Sequence, residues 1–281
     1  MVRQTYVKTM EAKNITIEQA KKGFQKAENY VKEEYSKNNI QIKESWLRSI
    51  DELFRYAITY NPELFVSLPH NIDIDDISEN YFKKWIKRFV NERLQPSTEK
   101  KLKTYMERDA ALITRVEKVT KASADDLEKY IYGHAIYMSA ENFNGAILEE
   151  YLSIILEPIG WIWCSGSVFR AIDFCLLDYD DNKNNSVMLQ VKNKYNTENS
   201  SSSAIRNGTK IIKWNRLNRP DSVDLSKPIP NWESLKELVL THTKITDNIT
   251  DEKIKSAIEK LNETSYLRFI HESSSTEVES L

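Results

Sequence analysis

The fold predicted for this chain rests on the stretches VFRAIDFCLLD (Val168–Asp178) and SVMLQVKNK (Ser186–Lys194). Both runs are apolar and rich in β-branched or aromatic residues, and the turn-forming cluster at Tyr179–Asn185 separates them, which favours two paired strands. One acid, Asp173, interrupts the first run, and a charge within an apolar strand is costly unless it is paired or binds a metal. The alternative is that strand alternation turns Asp173 to solvent at a strand end.

The second strand carries an amide and an ammonium on one face. Gln190 and Lys192 lie two positions apart, so their side chains point the same way, and pairing of the two strands would bring that face to Asp173. The Asp173 carboxylate and the Val191 carbonyl suit a hard cation, and the Lys192 ammonium suits a scissile phosphate. Metal-assisted cleavage of DNA is therefore the leading hypothesis, although an acid followed by QxK is common by chance.

A polar and basic segment, YNTENSSSSAIRNGTKIIKWNRLNR (Tyr195–Arg219), follows the second strand. Arg206 beside the Asn and Ser cluster is the candidate for a guanine contact, while lysines and arginines spaced by three on a predicted helix suit phosphates. The candidate DNA-binding residues are Lys194, Asn199, Ser201, Ser202, Ser203, Arg206, Lys210, Lys213 and Arg216. A solvated basic face or a flexible Ser-rich linker is the alternative.

Composition sets outer limits on function. The chain has 281 residues, 40% of them hydrophobic, and a formal net charge of −2, so a nucleic-acid partner follows only from the local basic segment. Two cysteines and four scattered histidines form no zinc or disulfide pattern. The sequence contains no apolar run of membrane-spanning length and no signal core, which predicts a cytoplasmic protein without a membrane partner.

Apolar periodicity divides the chain into three regions. Residues 1–138 are predicted to form successive amphipathic helices. Residues 139–262 are predicted to form an α/β core that starts with a helix at Ser139, stops that helix at Pro158 and Gly160, and includes later helices near Trp232–Leu240 and Asp251–Leu261. Residues 263–281 are predicted to be a polar tail, disordered at its end.

Three of these elements resemble a known nuclease superfamily. Gly145-Ala-Ile-Leu-Glu149, the Asp173 strand and Gln190-Val-Lys192 look like the helix acid, the D and the (D/E)xK elements of PD-(D/E)xK nucleases. The continuation KNKYNTENSSSSAIRNGTKIIKWNRL is similar to type II restriction endonucleases of the SinI kind, which recognise GGWCC-like sites. The likeness covers about residues 139–219. It implies a PD-(D/E)xK restriction-endonuclease-like α/β core, with a mixed β-sheet flanked by helices, that follows the helical N-terminal region.

The resemblance also implies roles for individual residues. Asp173 would be a ligand of Mg²⁺ together with Gln190 and Val191, Lys192 would be the catalytic lysine, and Glu149 would be the helix acid, with its neighbour Glu150 as the alternative. Gln190 departs from the superfamily pattern, which has an acid there. An amide oxygen can still coordinate a hard cation but adds no charge, so the departure bears on metal affinity or stoichiometry.

The expected function is Mg²⁺-dependent cleavage of double-stranded DNA at a short palindromic site, as in a type II restriction endonuclease. Cutting both strands of a palindrome needs two symmetric active sites, which favours a homodimer. Two other functions stay open: a structure-specific resolvase or repair nuclease with the same metal site, and a DNA-binding protein without catalysis.

Overall fold

Three amphipathic helices form the first part of the fold. The structure is a computed structural model that describes residues 16–65, 77–180, 183–195, 211–220, 224 and 226–280. The three helices are α1 (Ile17–Lys37), α2 (Glu44–Tyr60) and α3 (Ile77–Leu94). Their apolar faces meet in an aromatic cluster in which the rings of Phe24 and Phe54 stack at 4.0 Å. The helices predicted from periodicity in this region are confirmed.

Two further helices follow, α4 (Ala110–Thr120) and α5 (Ala124–Leu156). The predicted helix start at Ser139 is wrong, because α5 runs through that position. The Ser139 hydroxyl accepts a hydrogen bond from the Lys103 backbone N–H at 3.0 Å, whereas the Ser123 hydroxyl accepts from the Asp126 N–H at 3.2 Å and caps the true start. The predicted stop is confirmed, since Gly160 adopts the left-handed conformation with a φ of 89°.

The sheet in the described part of the chain is mixed and has five strands. In their order across the sheet, they are β2 (Ile162–Trp163), β3 (Phe174–Leu176), β6 (Val187–Lys194), β7 (Ile211–Asn218) and β8 (Ile229–Pro230). β6 pairs antiparallel with β3, as the hairpin prediction requires, and parallel with β7. Short strands β4 (Tyr179–Asp180) and β5 (Lys183–Asn184) pair separately within the hairpin. The α/β prediction is therefore confirmed.

The helix predicted over Lys210–Arg216 is wrong for its described residues, because Ile211–Asn218 form strand β7. In a strand, residues three apart lie on opposite faces, so Lys213 and Arg216 do not share one side. Most residues of β7 pair with β6, and this pairing outweighs the local preference for a helix that the spacing of the basic residues suggests.

The remaining helices are α6 (Trp232–His242), α7 (Asp251–Lys260) and α8 (Glu263–Ser273). The first two confirm the predicted helices. The third occupies most of the region predicted to be a polar tail. The prediction that the end of this tail is disordered is wrong at strand β9 (Val278–Glu279), which pairs parallel with β1 (Leu102–Lys103). In the described residues, no helix is long and apolar enough to cross a membrane.

The chain divides into two compact units. The first contains the described residues of 1–94 and 153–261, and the second contains those of 95–152 and 262–281. The sequence regions 1–138, 139–262 and 263–281 divide the chain differently. The two divisions differ because α1, α2 and α3 share one apolar cluster with residues of the sheet, so these helices and the sheet belong to the same unit.

In that cluster, one face of the sheet packs on the three helices. Met188 of β6, Cys175 of β3 and Cys164 beside β2 all belong to it. The two cysteine sulfurs lie 3.8 Å apart, and both thiols are free and buried. A buried guanidinium, Arg93 of α3, donates to the Trp163 carbonyl at 2.8 Å and pairs with Glu157 at 2.7 Å. These contacts fix the strand pair β2–β3 on the helices.

Candidate active site

Asp173 lies at the start of β3, directly before Phe174. Its backbone N–H donates to the Leu189 carbonyl at 2.9 Å, and its carboxylate Oδ2 accepts from the Val191 N–H at 2.7 Å. Leu189 and Val191 are the two residues that flank Gln190 in β6. The structure thus brings Asp173 to the strand that carries Gln190 and Lys192.

The Asp173 carboxyl is held in an environment that disfavours its charge. Burial raises its pKa from 3.8 to about 6, while the hydrogen bond from Val191 and the nearby Lys192 ammonium act in the opposite direction. A cation that binds beside this carboxylate would favour its charged form and offset the penalty of burial. This perturbation is typical of functional sites.

Gln190 is almost fully buried, at 2% exposure. Within the described part of the chain, its Oε1 atom has no hydrogen-bond partner. A buried acceptor without a donor costs about 1–3 kcal/mol, so such an atom needs a structural or functional reason. A bound cation would supply the missing partner.

The Val191 carbonyl faces the same edge of β6 as its N–H. In an extended strand, the N–H and the C=O of one residue point to the same side, and the Val191 N–H points to Asp173. The first residue of β3, Phe174, is paired with Leu189, two residues before Val191. The Val191 carbonyl therefore lies beyond the first residue of β3, beside the Asp173 carboxylate.

Strand β7 adds two side chains to this face. The parallel register pairs Gln190 with Lys213 and Lys192 with Asn215, and paired residues of neighbouring strands point to the same face. Asn215 is half-buried, and its Oδ1, like the Oε1 of Gln190, has no hydrogen-bond partner among the described residues. We call Asp173, Gln190, Lys192, Lys213 and Asn215 the site face.

Asn215 is absent from the sequence-based candidates because the spacing of the basic residues predicts a helix over Lys210–Arg216. The same letters alternate with a period of two, with Lys213 and Asn215 on one side and Trp214 and Arg216 on the other. A strand interpretation would have put Lys213 and Asn215 on one face of a strand. Their position beside Gln190 and Lys192 follows only from the parallel ladder.

The opposite face of β6–β7 is packed and hydrogen-bonded. Trp214 is buried, stands 5.3 Å from the ring of Trp232, and donates from Nε1 to the Asn231 carbonyl at 2.9 Å. Arg216 is also buried, and its Nε donates to Asn193 Oδ1 at 2.7 Å. We call these side chains the packed face.

The other DNA-binding candidates fall into two groups. Lys194 lies near the end of β6, is exposed, and points to the same side as Lys192. Six candidates lie outside the described residues: Asn199, Ser201, Ser202, Ser203, Arg206 and Lys210.

Two adjacent acids of α5 have different surroundings. Glu150 is buried and accepts hydrogen bonds from the backbone N–H groups of Ser97 and Thr98, the latter at 3.3 Å. It thereby caps the short 3-10 helix Ser97–Glu99. Glu149 is half-buried. Glu150 is thus engaged in the structure of the second unit.

The donor set of the site face is made of oxygen atoms. In the described residues, no group of three or more His, Cys, Asp or Glu side chains is placed to hold a metal ion. One carboxylate, an amide oxygen without a partner among the described residues and a backbone carbonyl are ligands that Mg²⁺ and Ca²⁺ accept. These residues fit a weakly held hard cation.

Comparison with known proteins gives the context of this geometry. A sequence model of the SinI restriction endonuclease family matches residues 108–248, which include Asp173, Gln190 and Lys192. The chain is 52% identical over 92 residues to the type II restriction enzyme Eco47I of Escherichia coli, a match that covers 33% of this chain and 39% of Eco47I. It is 44% identical over 116 residues to the type II restriction enzyme SinI of Salmonella infantis, covering 41% of this chain and 46% of SinI. Each match thus spans less than half of the relative. The chain belongs to the SinI restriction endonuclease family.

Proposed function

We propose that this protein is a type II restriction endonuclease with a PD-(D/E)xK active site. The observation that carries the proposal is the site face, on which Asp173 bonds to the Val191 N–H on the strand of Gln190 and Lys192. This arrangement lies within the family match, and both relatives named above are type II restriction enzymes.

The Asp173 carboxylate, the Gln190 amide oxygen and the Val191 carbonyl would hold Mg²⁺. When bound, the cation would draw charge from the scissile phosphate and increase the acidity of a nearby water. Lys192, exposed on the same face, would contact a phosphate oxygen with its ammonium and orient the attacking water. Glu149 is proposed as the helix acid on the basis of its position in the matched region.

DNA would be held by cations at the site face and in the segment that joins β6 to β7. Lys194 and Lys213 suit phosphate oxygens, and Arg206 in the joining segment is proposed to read guanine. Asn199, Ser201, Ser202, Ser203 and Lys210 are proposed to contact bases or phosphates beside it. Arg216 is moved from this set to a structural role, because it is buried on the packed face.

A palindromic site, GGWCC-like by the resemblance, would be cut on both strands by a homodimer. Two active sites related by a two-fold axis match the symmetry of such a site. Defence against incoming DNA would take place in the cytoplasm.

One observation favours a second candidate, a DNA-binding protein without catalysis. In the first unit, the described site face has Asp173 as its acid, and Gln190 stands where the superfamily has a second. A site with little negative charge binds a divalent cation weakly. The two candidates differ in a single observable, which is strand cleavage.

Incubation of phage DNA with the full chain and Mg²⁺ tests the proposal. We expect discrete fragments that are the same on repetition, and none from Asp173→Ala, which should still shift the mobility of DNA. Shifts without fragments from the parent protein would support the binding protein, and nicks confined to branched DNA would support a resolvase.

A further inference from the structure

A helical hairpin at residues 106–134, in the second unit, contains α4 and the first part of α5. The structure describes every residue of this helical hairpin, and none of them is buried. A helix of 11 residues such as α4 is marginal on its own in water, and in proteins its stability comes mostly from burial of an apolar face. Such a face exists in α4, because Leu112, Val116 and Val119 recur at helical spacing. The described residues leave it without cover.

An apolar groove lies between the two helices of the hairpin. Its volume is about 340 Å³, and its apolar walls include Leu112, Ile113 and Val116 of α4 and Leu127 and Ile131 of α5. A groove of this size accepts large apolar side chains from a partner, and exposed apolar surface of this kind marks an interaction site.

The face of α5 beside this groove carries two exposed tyrosine rings with a glycine between them. Tyr130 and Tyr137 are 51% and 80% exposed, and Gly133 lies three residues after the first and four before the second, so all three share one face. A Cβ atom added at Gly133 would meet nothing within 4 Å. The glycine therefore leaves a notch between the rings, and a ring from a second, antiparallel copy of this helix would fit it. The face is complementary in shape to itself.

The charges of the hairpin are complementary to themselves as well. Some acids and bases of the hairpin form no ion pair with any residue that the structure describes, namely Glu107, Glu117 and Asp125 and Arg115, Lys118 and Lys121. Glu107 precedes α4, whereas Lys118 and Lys121 are at its end. When two copies of α4 lie antiparallel, the acidic start of one helix meets the basic end of the other, which the helix dipoles also favour.

The same charges disfavour DNA as the partner of this surface. Acids slightly outnumber bases within residues 106–134, and binding to phosphates depends on an excess of Lys and Arg. An apolar centre with a rim of mixed charge is instead typical of an interface between proteins.

We propose that the helical hairpin is the surface through which two copies of this chain associate, with each α4 and α5 antiparallel to its counterpart across a two-fold axis. The proposal rests on the homodimer of the proposed function and assigns its interface. In such an interface both copies use the same patch, so the exposed rings of each would cover the groove of the other.

Sedimentation equilibrium of the full chain without DNA tests the proposal. Leu112→Asp places a charge in the groove at a residue that is 52% exposed, and it should raise the dimer dissociation constant about tenfold or more. The matched control is Leu240→Asp, the same change at a residue of α6 that is 55% exposed, and it should raise the constant less than about twofold. Tyr137→Asp provides a second variant if Leu112→Asp does not fold, because its side chain is almost fully exposed.

A parent that stays monomeric throughout the micromolar range would overturn the proposal, as would equal dissociation constants for Leu112→Asp and Leu240→Asp. Weaker DNA binding by Leu112→Asp with an unchanged dimer would also reject it and make the hairpin a DNA contact. Cleavage of phage DNA by the same samples separates this failure from that of the proposed function. A parent that associates through the hairpin but does not cut rejects the proposed function alone, whereas a parent that cuts while the hairpin variants associate normally rejects this interface alone.

Discussion

The site face and the packed face belong to the same two strands but satisfy their polar groups differently. On the packed face, Arg216 bonds to Asn193 at 2.7 Å, and Trp214 bonds to Asn231 at 2.9 Å. On the site face, the amide oxygens of Gln190 and Asn215 have no partner within the described residues. Alternating residues of one strand thus serve two purposes. Satisfied groups stabilise the fold, and unsatisfied ones are available to a ligand.

Lys192→Met should strongly reduce the rate of cleavage and leave the fold unchanged. Removing a cation that stabilises charge in the transition state costs about 10³-fold in rate. Because Lys192 is exposed, its free energy of unfolding should change by less than about 0.5 kcal/mol. Single-turnover cleavage and urea denaturation would measure the two quantities, and turnover within tenfold of the parent would show that Lys192 is not catalytic.

Arg216→Met should, in contrast, lower the stability of the protein. It removes a charge-assisted hydrogen bond from a buried position and should lower the free energy of unfolding by about 2–3 kcal/mol. The matched control is Arg219→Met, since Arg219 is exposed beyond the end of β7, and its change should stay within about 0.5 kcal/mol. Equal stability of the two variants in urea would remove the structural role of Arg216 and restore it as a DNA-contact candidate.

Asp173→Asn should abolish cleavage but stabilise the protein. The folded-state pKa of Asp173, about 6, lies above its usual value of 3.8, so the protonated form contributes stability that is lost as the pH rises through that interval. Replacing the carboxylate should therefore raise the free energy of unfolding by about 1–2 kcal/mol above pH 6, with little effect near pH 4.

Denaturation of Asp173→Asn and the parent across that pH range, with no divalent cation present, checks the expectation. A difference in stability that does not depend on pH would mean that desolvation of the carboxylate is not its source. Adding Mg²⁺ should narrow the difference, because the cation stabilises the folded parent by mass action.

Lys213→Ala should give the smallest effect, confined to DNA binding. The loss of one phosphate contact weakens binding to all duplexes alike and reduces the slope of log K against log salt by about one. The control Lys255→Ala removes an exposed lysine of α7 that pairs with Asp251, and it should leave the slope unchanged. A loss limited to one duplex sequence would show that Lys213 reads a base.

The sequence predicts local elements better than it predicts the residues that meet across strands. The buried strands around Asp173 and Gln190 were predictable because apolar alternation and the turn between them are local signals. The partnership of Lys192 with Asn215 was not, since it depends on the parallel ladder between β6 and β7. The helix start at Ser139 failed for a similar reason, because the Ser139 hydroxyl bonds to Lys103, which is distant in sequence.

The roles of Asn199 and Arg206 stay predictions, because both lie outside the described residues. Glu149 and Glu150 are a pair that the sequence alone does not distinguish but the hydrogen bonds in the structure do. As neighbouring letters they are equivalent, and the hydrogen bonds of Glu150 to the Ser97 and Thr98 N–H groups separate them.

The buried pair Cys164 and Cys175 has a consequence for chemical labelling. Burial raises the pKa of the Cys164 thiol, which keeps the thiol protonated and unreactive. The Cys164 backbone N–H donates to the Asp173 backbone carbonyl at 2.8 Å, so the two residues are directly linked. The chain has two cysteines, and both are inside the same apolar cluster. A thiol reagent can therefore react only when this cluster opens, and its rate of incorporation measures how often the strands around Asp173 separate from the helices packed on them.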